Sequence, residues 1–207
     1  MAFYVLRHGQ TDWNKEMRLQ GSTDIPLNET GREQARRAAE IFALQGLTKI
    51  VASPLSRALE TARIVGSKVN IDPIIDARLT ERHFGLFEGM TIDEVKQHRE
   101  DMREFMNPKA DIDGKHYPDN AEPLVEVIDR VYACVNEYRT DGNCLFVFHG
   151  IPFRAVTRRF LNDMYSSPNA APVRFEQVED KWRMFPLDPD NAPVPQIYNA
   201  ATTMGTI

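Results

Sequence analysis

Residues 2–9 read Ala-Phe-Tyr-Val-Leu-Arg-His-Gly, and residues 145–150 read Leu-Phe-Val-Phe-His-Gly. Each is an apolar run of strand length that stops abruptly on charged or titratable side chains and a glycine. Continuous apolar runs of this length suit strands buried on both faces, as in a parallel sheet. In open α/β sheets ligands bind beyond the carboxyl ends of the strands. Arg7, His8 and His149 stand where such ends would deliver them.

Working outward, short apolar runs alternate with amphipathic segments, the pattern of βαβ units. Ala2–Leu6 is a first strand, followed by a polar loop through Asn28 and a helix over Thr30–Leu44, where Thr30 and Glu33 have capping-box spacing. Thr48–Ala52 is a second strand. Ser53-Pro54 then supplies an N-cap and a first-turn proline for a helix reaching Val69. Ile71–Ile75 is a third strand. Thr91 and Glu94 form a second capping box, opening a helix that ends before Pro108, and another helix covers Glu122–Arg139. Leu145–Phe148 precedes a helix over Pro152–Leu161. Val173–Val178 and Trp182–Pro186 form a hairpin turning at Glu179-Asp180. The expected fold is α/β with a largely parallel sheet.

The 207 residues suffice for one domain with a full core, read here as 1–207, with a variable segment near 90–121 and a Pro-rich tail over 186–207. A net charge of -5 argues against nucleic acid or an anionic membrane as the main partner. Arg7 and His8 interrupt the first apolar run before a signal-peptide core forms, and no stretch is long enough to span a bilayer, so a cytoplasmic location is expected. Cys134 and Cys144 lack metal or redox spacing and read as buried thiols.

Polar groups after the strands define the chemistry: Arg7-His8-Gly9, Ser53-Pro54-Leu55-Ser56-Arg57, Glu81-Arg82-His83 and His149-Gly150. Arginine forks match phosphate oxygens, and a helix N-terminus after Ser53-Pro54 favours an anion. A cation such as Arg57 in that first turn is itself unfavourable without an anionic partner. Phosphoryl transfer needs a placed nucleophile, charge stabilisation and a proton donor. His8 suits the nucleophile, with Gly9 leaving room for the phosphate, and Glu81 suits the acid that later serves as base.

These residues, with others in order, resemble the histidine phosphatase superfamily, also called the phosphoglycerate mutase-like family. The matching pieces are Arg-His-Gly-Gln-Thr at 7–11, Trp13-Asn14, Arg18-Leu19-Gln20-Gly21, Gly31-Arg32-Glu33, Ser53-Pro54-Leu55-Ser56-Arg57-Ala58, Leu79-Thr80-Glu81-Arg82, Glu88-Gly89 and His149-Gly150. The resemblance spans nearly the whole chain. It implies a three-layer α/β/α fold with a mostly parallel central sheet and a phosphohistidine on His8. It also implies phosphate binding by Arg7, Arg57 and His149, and proton donation by Glu81. Asn14 matches a further phosphate contact, Gln20 and Gly21 match the loop lining the pocket, and Arg82 and Gly150 complete the expected substrate contacts. The family works without metal, so neither metal nor cofactor is expected, and the partner is a small phosphate ester handled by a monomer or homodimer. The sequence departs from common patterns at Gln10 and at Ile151-Pro152.

The implied activity is hydrolysis of a phosphate monoester. Glu81-Arg82-His83-Phe84-Gly85 also resembles the corresponding segment of cofactor-dependent phosphoglycerate mutases, the first alternative. Against it, Ile92 and Ile151 stand where such mutases carry lysine and asparagine, and there is no adjacent arginine pair between Met90 and Ala121. A second alternative is a non-catalytic module that binds phosphorylated ligands, for which an intact His8, Glu81 and His149 set would be unnecessary. A zinc hydrolase is disfavoured by the fixed cations of Arg7 and Arg57 beside the histidines. The residues assign no role to His83.

Overall fold

A computed structural model describes residues 1–98, 120–140 and 142–195. Its main sheet has six strands in the order β3-β2-β4-β1-β6-β7. They are β1 Ala2–Arg7, β2 Lys49–Ala52, β3 Ile74–Ile75, β4 Cys144–Phe148, β6 Pro172–Val178 and β7 Lys181–Pro186. The first four in that order run parallel, while β6 and β7 close one side antiparallel. The long helices are α2 Glu29–Phe42, α3 Ser56–Val69, α5 Leu124–Tyr138 and α6 Gly150–Leu161, with shorter α1 Asp12–Lys15 and α4 Ile92–His98.

Strand alternation builds two cores. Phe3 and Val5 of β1, with Phe146 and Phe148 of β4, pack against Val127 and Val131 of α5 and Phe153 of α6. Tyr4 and Leu6, with Leu145 and Val147, face Ala38, Ala39 and Phe42 of α2 and Ala58, Ala62 and Val65 of α3. The result is the expected three layers. Every residue of β4 is fully buried. Each large apolar side chain so enclosed contributes roughly 1.5–3 kcal/mol, which pins the register of the central strands. Tyr4 pairs with Leu145 and Arg7 with Phe148, so the carboxyl ends of β1 and β4 lie side by side.

Several local expectations shift. Helix α2 is capped by Asn28, whose side chain accepts from Gly31 N–H, rather than by a Thr30–Glu33 box. Helix α3 begins at Ser56, and its N-cap Leu55 makes no side-chain bond. Asp24 instead accepts from both the Ser56 N–H and its hydroxyl at 2.8 Å. The Ser53 hydroxyl meets His149 Nε2 at 2.8 Å and accepts from the Leu55 N–H at 3.3 Å, and Leu55 is still extended. Helix α1 carries the Thr11–Asn14 capping box that the polar-loop reading missed. The third strand shrinks to Ile74–Ile75 at an exposed edge. Helix α6 starts two residues before Pro152, and Glu122 lies ahead of α5. The Thr91–Glu94 box is present, and the hairpin turns at Glu179-Asp180, both with positive φ. Cys134 and Cys144 are buried thiols outside any disulfide. The expected helix end before Pro108, most of the variable segment and the tail beyond 195 lie outside the described residues. Part of the tail does join the structure, since β8 Val194–Pro195 pairs with β5 Tyr165–Ser166.

Gly9 does not serve to admit a phosphate. A Cβ there would lie 2.3 Å from the Gly31 carbonyl oxygen, and a Cβ on Gly31 would lie 2.1 Å from that of Gln10. The glycines let the loop after β1 meet the first turn of α2 backbone to backbone. Gly31→Ala is therefore expected to cost about 1–3 kcal/mol as an overpacking defect, while the exposed Thr30→Ala stays within about 0.5 kcal/mol. Thermal or urea unfolding of the two variants checks this.

Candidate active site

His8 follows β1 and is 2% exposed. Its Nδ1 lies 2.7 Å from the Gly9 carbonyl oxygen. A carbonyl only accepts, so Nδ1 carries the proton and Nε2 keeps its lone pair. Burial, and then the charges of Arg57 and Arg7, hold the imidazole well below the usual histidine range. Neutral His8 thus presents a nucleophilic nitrogen across physiological pH.

His149 follows β4, directly beside β1, and its ring centroid is 5.1 Å from that of His8. It is fully buried. Arg57 Nε donates to its Nδ1 at 3.2 Å, and its Nε2 lies 2.8 Å from Ser53 Oγ. Arginine has no acceptor, so Nε2 bears the proton and donates to Ser53. Burial and the Arg57 charge keep this ring neutral as well.

Arg57 is also fully buried. Besides His149, its Nη1 donates to the Thr23 carbonyl and its Nη2 to the Gly21 carbonyl, each at 2.8 Å. Three of its five N–H donors are thereby used. Arg7 donates from Nη1 to the Ser167 carbonyl at 2.7 Å, and its buried Nε has no partner among the described residues. Burial pushes Arg7 down to about 10, still cationic at neutral pH.

Glu81 reaches the start of α6. Its carboxylate accepts from the N–H groups of Gly150 at 3.0 Å and Ile151 at 3.2 Å, and from its neighbour Arg82 at 2.9 Å. Burial raises its pKa, opposed by these hydrogen bonds and by Arg57 and Arg7.

These groups line one cavity. Arg7, His8, Asn14, Gln20, Gly21, Arg57, Glu81 and Gly150 all border it, together with Arg18, Phe84, Ile151, Arg154 and Ser166. Its four arginines against one carboxylate suit an anionic guest. Asn14 bonds Thr11 and Asn169 through Oδ1, and the buried Oε1 of Gln20 has no partner among the described residues.

Two expected residues are not brought to this cavity. His149 does not border it, and both of its ring nitrogens are engaged, by Arg57 and Ser53. Arg82 is buried and donates from Nε to the Glu122 carbonyl at 2.8 Å, stacked over Phe84. Its backbone N–H meets the Glu81 carboxylate. Phe84 does two jobs, packing in the core and bordering the cavity.

The structure also supplies what the sequence reading left out. Glu88 accepts from the N–H groups of Ser22, Thr23 and Phe84 and from the Thr23 hydroxyl, clamping the pocket loop. His83 lies 2.6 Å from Glu88 and 2.9 Å from the Ser22 hydroxyl, so it belongs to this clamp. Gly21, at φ 55°, is required there because a Cβ would lie 2.0 Å from Glu88 Oε1. Arg154 is 7% exposed on the otherwise buried face of α6 and borders the cavity. A lone cation within Ile151–Thr157, four residues after Gly150, is the signal that could have found it. Among the described residues no group of three or more His, Cys, Asp or Glu is arranged to hold a metal, and no helix is long and apolar enough to cross a membrane.

Comparison with known proteins agrees with this geometry. The family model described as the histidine phosphatase superfamily (branch 1) matches residues 3–184. A protein of Bacillus subtilis strain 168 called uncharacterized phosphatase PhoE is 34% identical over 88% of this chain and 92% of its own. A probable phosphoglycerate mutase GpmB of Escherichia coli O1:K1 / APEC is 36% identical over 73% of this chain and 70% of its own. Among solved structures, mycobacterial glucosyl-3-phosphoglycerate phosphatase complexed with VO3 superposes with a TM-score of 0.78 at 28% identity. That match covers 88% of this chain and 96% of the other. YhfR of Bacillus stearothermophilus superposes with a TM-score of 0.76 at 30% identity, covering 88% and 94%. With the family model spanning most of its length and Arg7, His8, Arg57 and Glu81 bordering one cavity, the chain belongs to the histidine phosphatase superfamily.

Proposed function

We propose that the chain hydrolyses a small phosphate monoester through a phosphohistidine on His8, without a metal. The observation that carries this reading is the tautomer of His8: Nδ1–H tied to the Gly9 carbonyl leaves Nε2 as a neutral nucleophile at a cavity bordered by Arg7 and Arg57. In the first step the Nε2–P bond forms as the ester P–O bond breaks, and the Glu81 carboxyl passes its proton to the departing oxygen. In the second, the Glu81 carboxylate takes a proton from water, whose oxygen attacks phosphorus and frees His8 and inorganic phosphate. Arg7 and Arg57 offset charge on the non-bridging oxygens throughout. Arrival of the phosphate neutralises the two arginines that hold the Glu81 pKa down, so binding itself favours the acid form.

The partner is a small-molecule ester in solution, in line with a cavity bordered by four arginines. The phosphatase names among its relatives support hydrolysis. The mutase reading keeps one support, the GpmB relatives together with the Glu81–Gly85 segment. In this chain His83 of that segment is engaged by Glu88 and Ser22 and does not border the cavity.

Wild type is expected to release phosphate from alkyl and aryl phosphates in the presence of EDTA, and His8→Ala to lose at least about 10³-fold in kcat/KM. With 3-phosphoglycerate, phosphate release without 2-phosphoglycerate supports hydrolysis, and isomerisation with little release would replace it by the mutase reading. The pH profile provides a further test. A raised Glu81 pKa keeps the donor protonated above the usual carboxylate range, and its protonation is lost as pH rises. With an alkyl phosphate, kcat/KM is expected to fall on the alkaline side through this group. Glu81→Gln is expected to abolish that limb while lowering the plateau by about 10²–10⁴-fold.

A further inference from the structure

Arg130 lies on α5, outside the cavity, yet its guanidinium is the most fully engaged group next to the site. Its Nε donates to Glu122 Oε1 at 2.6 Å and its Nη2 to Glu122 Oε2 at 2.8 Å. Its Nη1 donates to the carbonyls of Arg78 at 2.8 Å and Thr80 at 2.7 Å, and Nη2 also reaches the Glu81 carbonyl at 3.3 Å. Five N–H donors thus meet five acceptors, three of them the main-chain oxygens of the segment that ends in Glu81.

Glu122 completes the frame. Its N–H donates to the His83 carbonyl at 2.8 Å, its Oε2 accepts from the His83 N–H at 3.3 Å, and its carbonyl accepts from Arg82 Nε at 2.8 Å. The backbone on both sides of Glu81 is therefore held by one partly buried ion pair. The Glu81 carboxyl is left to meet the start of α6. A planar fork can serve acceptors spread around it, whereas an ammonium has three donors on one atom and cannot.

We infer that Arg130 is a positioning residue for proton transfer: by fixing the carbonyls of residues 78, 80 and 81 it holds the Glu81 carboxyl over the leaving-group oxygen. This rests on the reading of Glu81 as the proton donor. The feature that separates positioning from mere support of the fold is the leaving group. An alkoxide needs its proton in the transition state, and a nitrophenolate departs without one. Displacement of Glu81 therefore penalises alkyl esters selectively, whereas a loosened fold penalises both.

The test is kcat/KM for an alkyl phosphate and for 4-nitrophenyl phosphate in wild type, Arg130→Lys, Glu122→Gln, Glu81→Gln and Glu81→Gln/Arg130→Lys. Glu81→Gln is expected to lose about 10²–10⁴-fold on the alkyl ester and far less on the aryl ester. Arg130→Lys is expected to show the same selectivity on a smaller scale, about 10-fold more loss on the alkyl than on the aryl ester, as befits a misplaced rather than missing acid. Adding Arg130→Lys to Glu81→Gln is expected to bring no further selectivity. If Arg130→Lys does not fold, Glu122→Gln, which weakens the same fork, carries the same expectation. Equal losses on both esters in Arg130→Lys or Glu122→Gln, with Glu81→Gln still selective, would overturn the positioning role alone. Equal losses in Glu81→Gln would overturn the proton-donor reading itself.

Discussion

The site is organised around one buried charge. Taking a guanidinium such as that of Arg57 out of water costs several kcal/mol unless its donors are matched. The carbonyls of Gly21 and Thr23 and the Nδ1 of His149 meet that demand. Satisfying Arg57 thus fixes the shape of the pocket loop, the tautomer of His149 and the hydroxyl of Ser53. The same loop returns Asp24 to cap the helix that carries Arg57, and Glu88 fastens it from the other side. Two of the guanidinium's N–H groups lie outside these three bonds, and in the proposed reaction they meet the phosphoryl oxygens. The buried cation is a folding constraint and, on that reading, a preorganised electrostatic element.

The sheet converts this local order into geometry. Because β1 and β4 are neighbours in parallel register, His8 and His149 emerge at the same edge and in contact. Burial first, and then the cations that suit a phosphate guest, keep both rings neutral, so in the proposed reaction the charges that bind also help to hold His8 unprotonated. Glu81 experiences the opposite balance. Burial favours its proton and the arginines oppose it. On the proposed reading a bound phosphate tips that balance toward the acid, so that one environment gives the proposed acid and nucleophile different protonation states.

Much of this was legible in the sequence where the relevant physics is local. The apolar runs of β1 and β4 gave the sheet, and the polar residues that follow the strands gave His8, Arg57 and Glu81, which border one cavity. The boundaries that failed are those decided at long range. The N-terminus of α3 is capped by a residue 32 positions away, so the nearby Ser53-Pro54 signal misled. Gly9 reads as room for a ligand only until the backbone of Gly31 is placed against it. Arg130 and Arg154 were silent, and Glu88 was read only as a motif piece without a role, because their partners are groups distant in sequence or a cavity that exists only once the chain has folded. The resemblance placed His149 at the phosphate, and Arg82 was read as a substrate contact; neither is among the residues that border the cavity, and the bonds His149 makes to Arg57 and Ser53 exist only once the chain has folded.

The covalent intermediate is the centre of the account, and a rapid alkaline quench of enzyme mixed with substrate, followed by mass mapping of the peptides, tests it most directly. A phosphoryl group on His8 that forms within one turnover, survives alkali and is lost in acid is the expected result. Turnover with no phosphoryl group on His8 at any time, or with the group on His149 instead, would contradict it.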